Sequence, residues 1–163
     1  LDVIGVQVCA AVKNVIAIAF GMLDALKEVS SGFGDNTESL LLAAGLNEIQ
    51  ALGMALGSTH PETFTSIAGV GDLDVTCRSV YGRNRRFGRE IVLEKKIAPY
   101  SSIDEIIAGI DRIGYLPEGL VAARYVSALA AQLKIKMPIS QGVYQILDRQ
   151  ADPEGELLHI FGM

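Results

Sequence analysis

Residues 4–23 read IGVQVCAAVKNVIAIAFGML, a run in which only Gln7, Lys13 and Asn14 are strongly polar. A stretch this apolar has two homes: a lipid bilayer, which takes about 20 such residues to cross, or the centre of a helical protein. A lysine near the bilayer centre costs about 2.5 to 3.5 kcal/mol on insertion scales. No basic cluster flanks the run to set an orientation, and no later segment matches it. The run therefore predicts a helix at the middle of a helical domain, with no membrane span. Half of the 163 residues are apolar, 20% are charged and the mean hydropathy is +0.33. That composition supports one sizeable core and excludes a disordered or fibrous chain. A net charge of −5 argues against a general nucleic-acid binder. The chain opens on Leu1, with no initiator methionine and no basic segment ahead of the apolar run, which reads as a piece of a longer polypeptide.

After the apolar run, the glycines, serines and Asp35-Asn36-Thr37 end one helix and cap the next. A second long helix is expected over Thr37 to Leu56, closed by Gly57. A short helix should start at Pro61. Glycine-dense sequence then predicts loop until about Asn84, where Phe87, Ile91 and Val92 suggest another short helix. Residues 102–109 form a brief amphipathic piece, and Ile110 to Pro117 looks partly β-like. A clear helix follows from Glu118 to Leu133, Pro138 opens another, and Pro153 starts a final turn or two. About seven helices and no run of alternating strands give an all-α domain over residues 1–163. No βαβ unit is present, so a complete dinucleotide-binding domain is not expected here. Gly32-Phe33-Gly34 and Gly69-Val70-Gly71 lack the third glycine and the preceding strand, and read as loop glycines.

Three features stand outside a purely structural reading. Lys13 places an ammonium inside an apolar helix, where it must be paired, hydrated or functional. It can serve as a general base, or it can snorkel to the surface. Asn14 beside it offers a donor and an acceptor. The segment from Arg83 to Arg89 packs four of the chain's eight arginines into seven residues. Guanidinium groups at a helix start suit a phosphate; the alternatives are a solvated basic surface or ion pairs with the excess carboxylates. Asp72, between glycines and an apolar stretch, can orient Lys13, accept hydrogen bonds from a polyol, or act as an ordinary turn residue. Cys9 and Cys77 lack CxxC spacing and read as buried thiols, and no His/Asp/Glu cluster has metal-ligand spacing.

Several strings fall in register with one family: Asp2 to Gln7, Val12-Lys13-Asn14-Val15-Ile16-Ala17, Gly34-Asp35-Asn36-Thr37, Ala68 to Leu73, Thr76-Cys77, Arg83 to Gly88, Glu118-Gly119, Met137-Pro138-Ile139 and Val143 to Leu147. In this order and spacing the chain resembles the C-terminal, substrate-binding half of bacterial NAD(P)-dependent glycerol-3-phosphate dehydrogenase. The resemblance implies an all-α domain like the C-terminal domain of 6-phosphogluconate dehydrogenase, normally preceded by a Rossmann domain. It implies hydride transfer between NAD or NADP and C2 of sn-glycerol 3-phosphate in a cytoplasmic enzyme. By position, Lys13 would be the proton acceptor and donor, and Asp72 would hold Lys13 and help to bind substrate. Asn84 would contact substrate, Arg83 would meet substrate phosphate or cofactor, and Glu118 would lie near the cofactor. Two departures stand out: Gly82 occupies a position that is commonly serine, and Leu116-Pro117 replaces the usual apolar pair before Glu118-Gly119. The competing readings are a related dehydrogenase acting on another hydroxy acid or sugar acid, and a helical interaction module. A homodimer through the long apolar helices is compatible with each.

Overall fold

The computed structural model describes residues 1–162, and among them the fold is entirely helical: nine α-helices, one 3-10 turn and one π turn. The apolar run forms α1 (Val3–Val29), started by Asp2, whose side chain accepts from the Gly5 N–H at 2.9 Å. No proline or turn residue interrupts it until the chain becomes extended at Ser30. Residues Val15 to Leu23 of α1 are almost completely enclosed, by α2, α3, α4, α7 and α8. The helix is long and apolar enough to cross a membrane by composition, yet its middle is the axis of the core.

Helix α2 (Asp35–Ala55) begins two residues earlier than expected. Gly34 is extended, and its N–H donates to Thr37 Oγ1 at 3.1 Å, so Thr37 lies inside the first turn rather than at the boundary. Gly57 follows at φ +103°, a left-handed position that glycine adopts without strain. Pro61–Thr63 makes only a single 3-10 turn.

The expected loop after Ala68 is instead helical. A π turn, Ile67–Gly71, runs directly into α3 (Asp72–Arg78). Gly69 serves close packing here: a Cβ at this position would lie 2.1 Å from the Phe64 carbonyl oxygen. Gly71 itself has helical torsions. These glycines leave room for the chain's own preceding turn, Gly69 for the Phe64 carbonyl and Gly71 for the Ile67 side chain. Helix α4 (Arg83–Leu93) packs on α1 with similar intimacy, because a Cβ on Gly21 would strike the Arg85 carbonyl and one on Gly88 the Ile18 carbonyl. Helix α5 (Ile103–Ala108) follows, and the stretch expected to be partly β-like holds a helical turn, α6 (Ile110–Ile113), ended by Gly114 at φ +87°. Helices α7 (Glu118–Leu133), α8 (Pro138–Arg149) and α9 (Pro153–Phe161) match the expected starts. Phe20, Phe64, Phe87, Leu41 and Ile49 fill the centre, each large side chain contributing about 1.5 to 3 kcal/mol by leaving water.

Candidate active site

Lys13 lies where α1 passes from an exposed first half to a buried second half. Val3, Ile4 and Val6 face outward, whereas Val12, Val15 and Ile16 are fully enclosed. Its Nζ donates to Asp72 Oδ2 at 2.5 Å, and neither side chain is sealed from solvent, with exposures of 20% and 36%. Asp72 sits where the π turn passes into α3, with its N–H already bonded back into that turn. One turn on, the Thr76 hydroxyl donates toward the other carboxylate oxygen at 3.5 Å. The lysine is thus paired and partly hydrated, and the aspartate is a helix-borne partner rather than a loop residue.

Asn14 extends this group away from the ion pair. Its Oδ1 accepts from Asn84 Nδ2 at 2.9 Å, and Asn84 Oδ1 accepts from the Gly119 N–H at 2.8 Å. Asn84, 5% exposed, therefore joins α1 and α4 to the start of α7. Close approach makes this possible, since a Cβ on Gly119 would fall 2.3 Å from the Asn14 carbonyl oxygen. Next to it, Arg83 pairs with Glu118 at 2.5 Å, with both side chains about half-exposed. Lys13, Asp72, Asn84, Arg83 and Glu118 form one connected cluster, with Asn14 as its link.

The remaining arginines of the segment do not join an anion cradle. Arg85 and Arg89 both bind Asp24 of α1, at 2.7 and 2.6 Å, and Arg89 also meets Glu28 at 2.7 Å. Arg86 binds Glu90 at 2.6 Å. Ion pairing with the acidic excess accounts for these three, and only Arg83 faces the cluster. Helix α4 starts at Gly82 with no side chain capping it, so its first N–H groups remain available to an anion. Asn14 and Thr76 have no firm role in the sequence taken alone. Thr76 carried a signal only once Asp72 was known to be helical, because the two then share a face at i and i+4.

Cys9, one turn before Lys13, and Cys77 are buried free thiols. Burial pushes the Cys9 thiol up and that of Cys77 up to about 12, which leaves both as packing groups. Among the described residues, no three His, Cys, Asp or Glu side chains are placed to hold a metal ion.

The described residues thus form an all-helical domain that presents a partly exposed lysine–aspartate pair, with asparagine and arginine side chains on the neighbouring helix α4. A family model described as NAD-dependent glycerol-3-phosphate dehydrogenase C-terminus matches residues 2–157, and the chain belongs to that family. Glycerol-3-phosphate dehydrogenase [NAD(P)+] of Treponema denticola is 64% identical over 153 residues, which is 94% of this chain and 43% of that protein. The Treponema pallidum protein of the same name is 60% identical, covering 99% of this chain and 46% of its own length. Among solved structures, glycerol-3-phosphate dehydrogenase from Coxiella burnetii superposes with a TM-score of 0.81 at 35% identity, covering 99% of this chain and 45% of that one. The chain thus spans less than half the length of these relatives.

Proposed function

We propose that this chain is the substrate-handling half of an NAD(P)-dependent enzyme that interconverts sn-glycerol 3-phosphate and dihydroxyacetone phosphate. The observation that carries the reading is the Lys13–Asp72 pair, held at 2.5 Å by two different helices and still reached by solvent. In the oxidising direction, neutral Lys13 takes the proton from the C2 hydroxyl; in reduction, its ammonium returns that proton to the carbonyl oxygen. Asp72 holds the charged amine in place and accepts a hydrogen bond from the substrate. Arg83 and the uncapped start of α4 meet the phosphate, and Asn84 holds Asn14 and the start of α7 around it.

A bound NAD or NADP would supply the hydride chemistry at C2. The exposed guanidinium of Arg83 and the carboxylate of Glu118 fit one edge of such a nucleotide. The described residues contain no strand, so the βαβ crevice that would hold most of it is not built from them. The same reading makes this a cytoplasmic enzyme, and the exposed Val3, Ile4 and Val6 of α1 offer an apolar face for a homodimer.

The decisive experiment is Lys13→Ala in the full-length protein. Turnover of glycerol 3-phosphate should fall by about 10² to 10⁴, while nucleotide binding, followed by fluorescence titration, stays near wild type. Wild-type turnover would remove Lys13 from the reaction. The contact from Lys13 to Asp72 favours this reading over a purely structural interaction module, and Arg83 favours a phosphorylated substrate over an unphosphorylated hydroxy acid.

A further inference from the structure

Between α6 and α7 the chain crosses a short connection, residues 114–117, that ends at Glu118. It is held to α4 at both ends. At its start, the Tyr115 hydroxyl donates to Glu90 Oε2 at 2.6 Å, and the Arg86 guanidinium stacks on the Tyr115 ring 4.6 Å from its centre. At its finish, the Gly119 N–H donates to Asn84 Oδ1, and Glu118 pairs with Arg83. Arg83 and Glu90 stand about 10 Å apart along α4, and the connection bends at Tyr115 and is extended at Pro117 before α7 begins.

Glu90 is well suited to anchor this connection. It is 7% exposed and has three partners, since Arg86 Nε donates at 2.6 Å and Lys96 Nζ lies 3.2 Å from Oε2. Burial alone would push its carboxyl up, but hydrogen bonds from Tyr115, Arg86 and Lys96 hold it below the ordinary value, so it is a charged acceptor at neutral pH. By contrast, the Arg83–Glu118 pair is half-exposed, and pairs of that kind hold their own geometry weakly.

We infer that Tyr115 and Glu90 are positioning residues of the reaction: they splint residues 114–118 along α4 and thereby fix Glu118 and Arg83 in the geometry that receives the nucleotide. This inference rests on the dehydrogenase reading proposed above. Neither residue touches the cluster, so each acts through the backbone that carries Glu118. Preorganisation of this kind lowers the ordering cost of binding and leaves the chemical step alone.

The test is Tyr115→Phe in the full-length protein, with Glu90→Gln as a second variant that keeps the tyrosine. In each, KM for the nicotinamide nucleotide should rise about three- to tenfold with kcat within about twofold, and amide hydrogen exchange across residues 114–120 should accelerate. Glu118→Gln should raise the same KM, and adding Tyr115→Phe to it should raise it no further. Unchanged exchange across 114–120 would overturn the splint. Faster exchange with an unchanged nucleotide KM would leave Tyr115 purely structural and overturn its positioning role. If the unmutated protein does not turn over glycerol 3-phosphate, the dehydrogenase reading itself fails and the positioning role falls with it, whereas the exchange result still decides whether the splint exists.

Discussion

Glu48 and Asp24 are carboxylates that folding withdraws from water, and their partners give them opposite responses to pH. Glu48, on α2, is 4% exposed and reaches across to the start of α8, accepting from the Ile139 N–H at 2.5 Å, the Ser140 N–H at 3.0 Å and the Ser140 hydroxyl at 2.7 Å. Pro138 opens that helix and Met137 offers no capping side chain, so a carboxylate from another helix performs the capping. Burial with no cation nearby raises the Glu48 carboxyl above its ordinary 4.5, against the pull of those hydrogen bonds. The folded state therefore binds this proton more tightly than the unfolded chain, and the Glu48 contribution to stability declines as pH rises through the window just above 4.5. Burial also acts on Asp24, but hydrogen bonds from Arg85 and Arg89 overcome it and hold the carboxyl below 3.8. Its contribution is complete above pH 3.8 and is lost as pH falls through the lower folded value. Urea midpoints measured from pH 3 to 7 should show both slopes, roughly a kcal/mol each or less. Asp24→Asn should flatten the acid limb and Glu48→Gln the limb above it. Glu48→Gln should also cost about 1 to 3 kcal/mol, because an amide NH2 then faces the donors at the start of α8. A variant as stable as wild type would mean that water satisfies those N–H groups instead.

At the scale of elements, the α1–α4 crossing is the contact on which the site most depends, since α4 supplies Arg83 and Asn84 and α1 supplies Lys13 and Asn14. Gly88 against the Ile18 carbonyl and Gly21 against the Arg85 carbonyl let the two backbones meet, and the Asp24–Arg85–Arg89 pairs lock the approach. In Gly88→Ala, a Cβ would sit 2.1 Å from a backbone oxygen that no rotamer change can move. The helices must separate, and a loss of about 3 kcal/mol or more is expected by denaturant unfolding, against the gain of up to about 1 kcal/mol that alanine brings to a free helix. A neutral or stabilised variant would show that the crossing can relax. Helices α1 and α7, with long apolar patterns, and α8 and α9, opened by prolines, were legible from the sequence. The π turn and α3 were not, because glycine has the same letter whether it frees a backbone torsion or makes room for a neighbouring carbonyl. The arginine segment misled in a related way: its charge density was visible, but Asp24 and Glu28, which neutralise two of its members, lie about sixty residues away in the chain.

For the molecule as a whole, the arrangement of exposed groups bears on what this chain does alone. Lys13 pairs with Asp72 and Arg83 with Glu118, and Asp72 and Arg83 remain substantially open to water. Lys13 and Asp72 stood out in the sequence because charge in apolar or glycine-rich surroundings needs a reason, and the structure makes each the other's partner. The links through Asn14, Asn84 and Gly119 could not be read in advance, since they depend on a crossing of α1, α4 and α7 that no local pattern encodes. Hydride transfer needs C2 of the substrate held against the nicotinamide within a fraction of an ångström and shielded from solvent, and misplacement by about 1 Å can cost a hundredfold. On the function proposed above, the described residues would supply the proton-handling half of that geometry on an open face, and the relatives that carry the family's name are more than twice as long. The 163-residue chain by itself should therefore give no turnover above background when glycerol 3-phosphate and NAD or NADP are supplied together, as followed by nicotinamide absorbance. The full-length protein assayed in parallel should turn over. Activity in the isolated chain approaching that of the full-length protein would mean that these helices alone can seat a nicotinamide against Lys13, and the division of labour inferred from the open face would have to be abandoned.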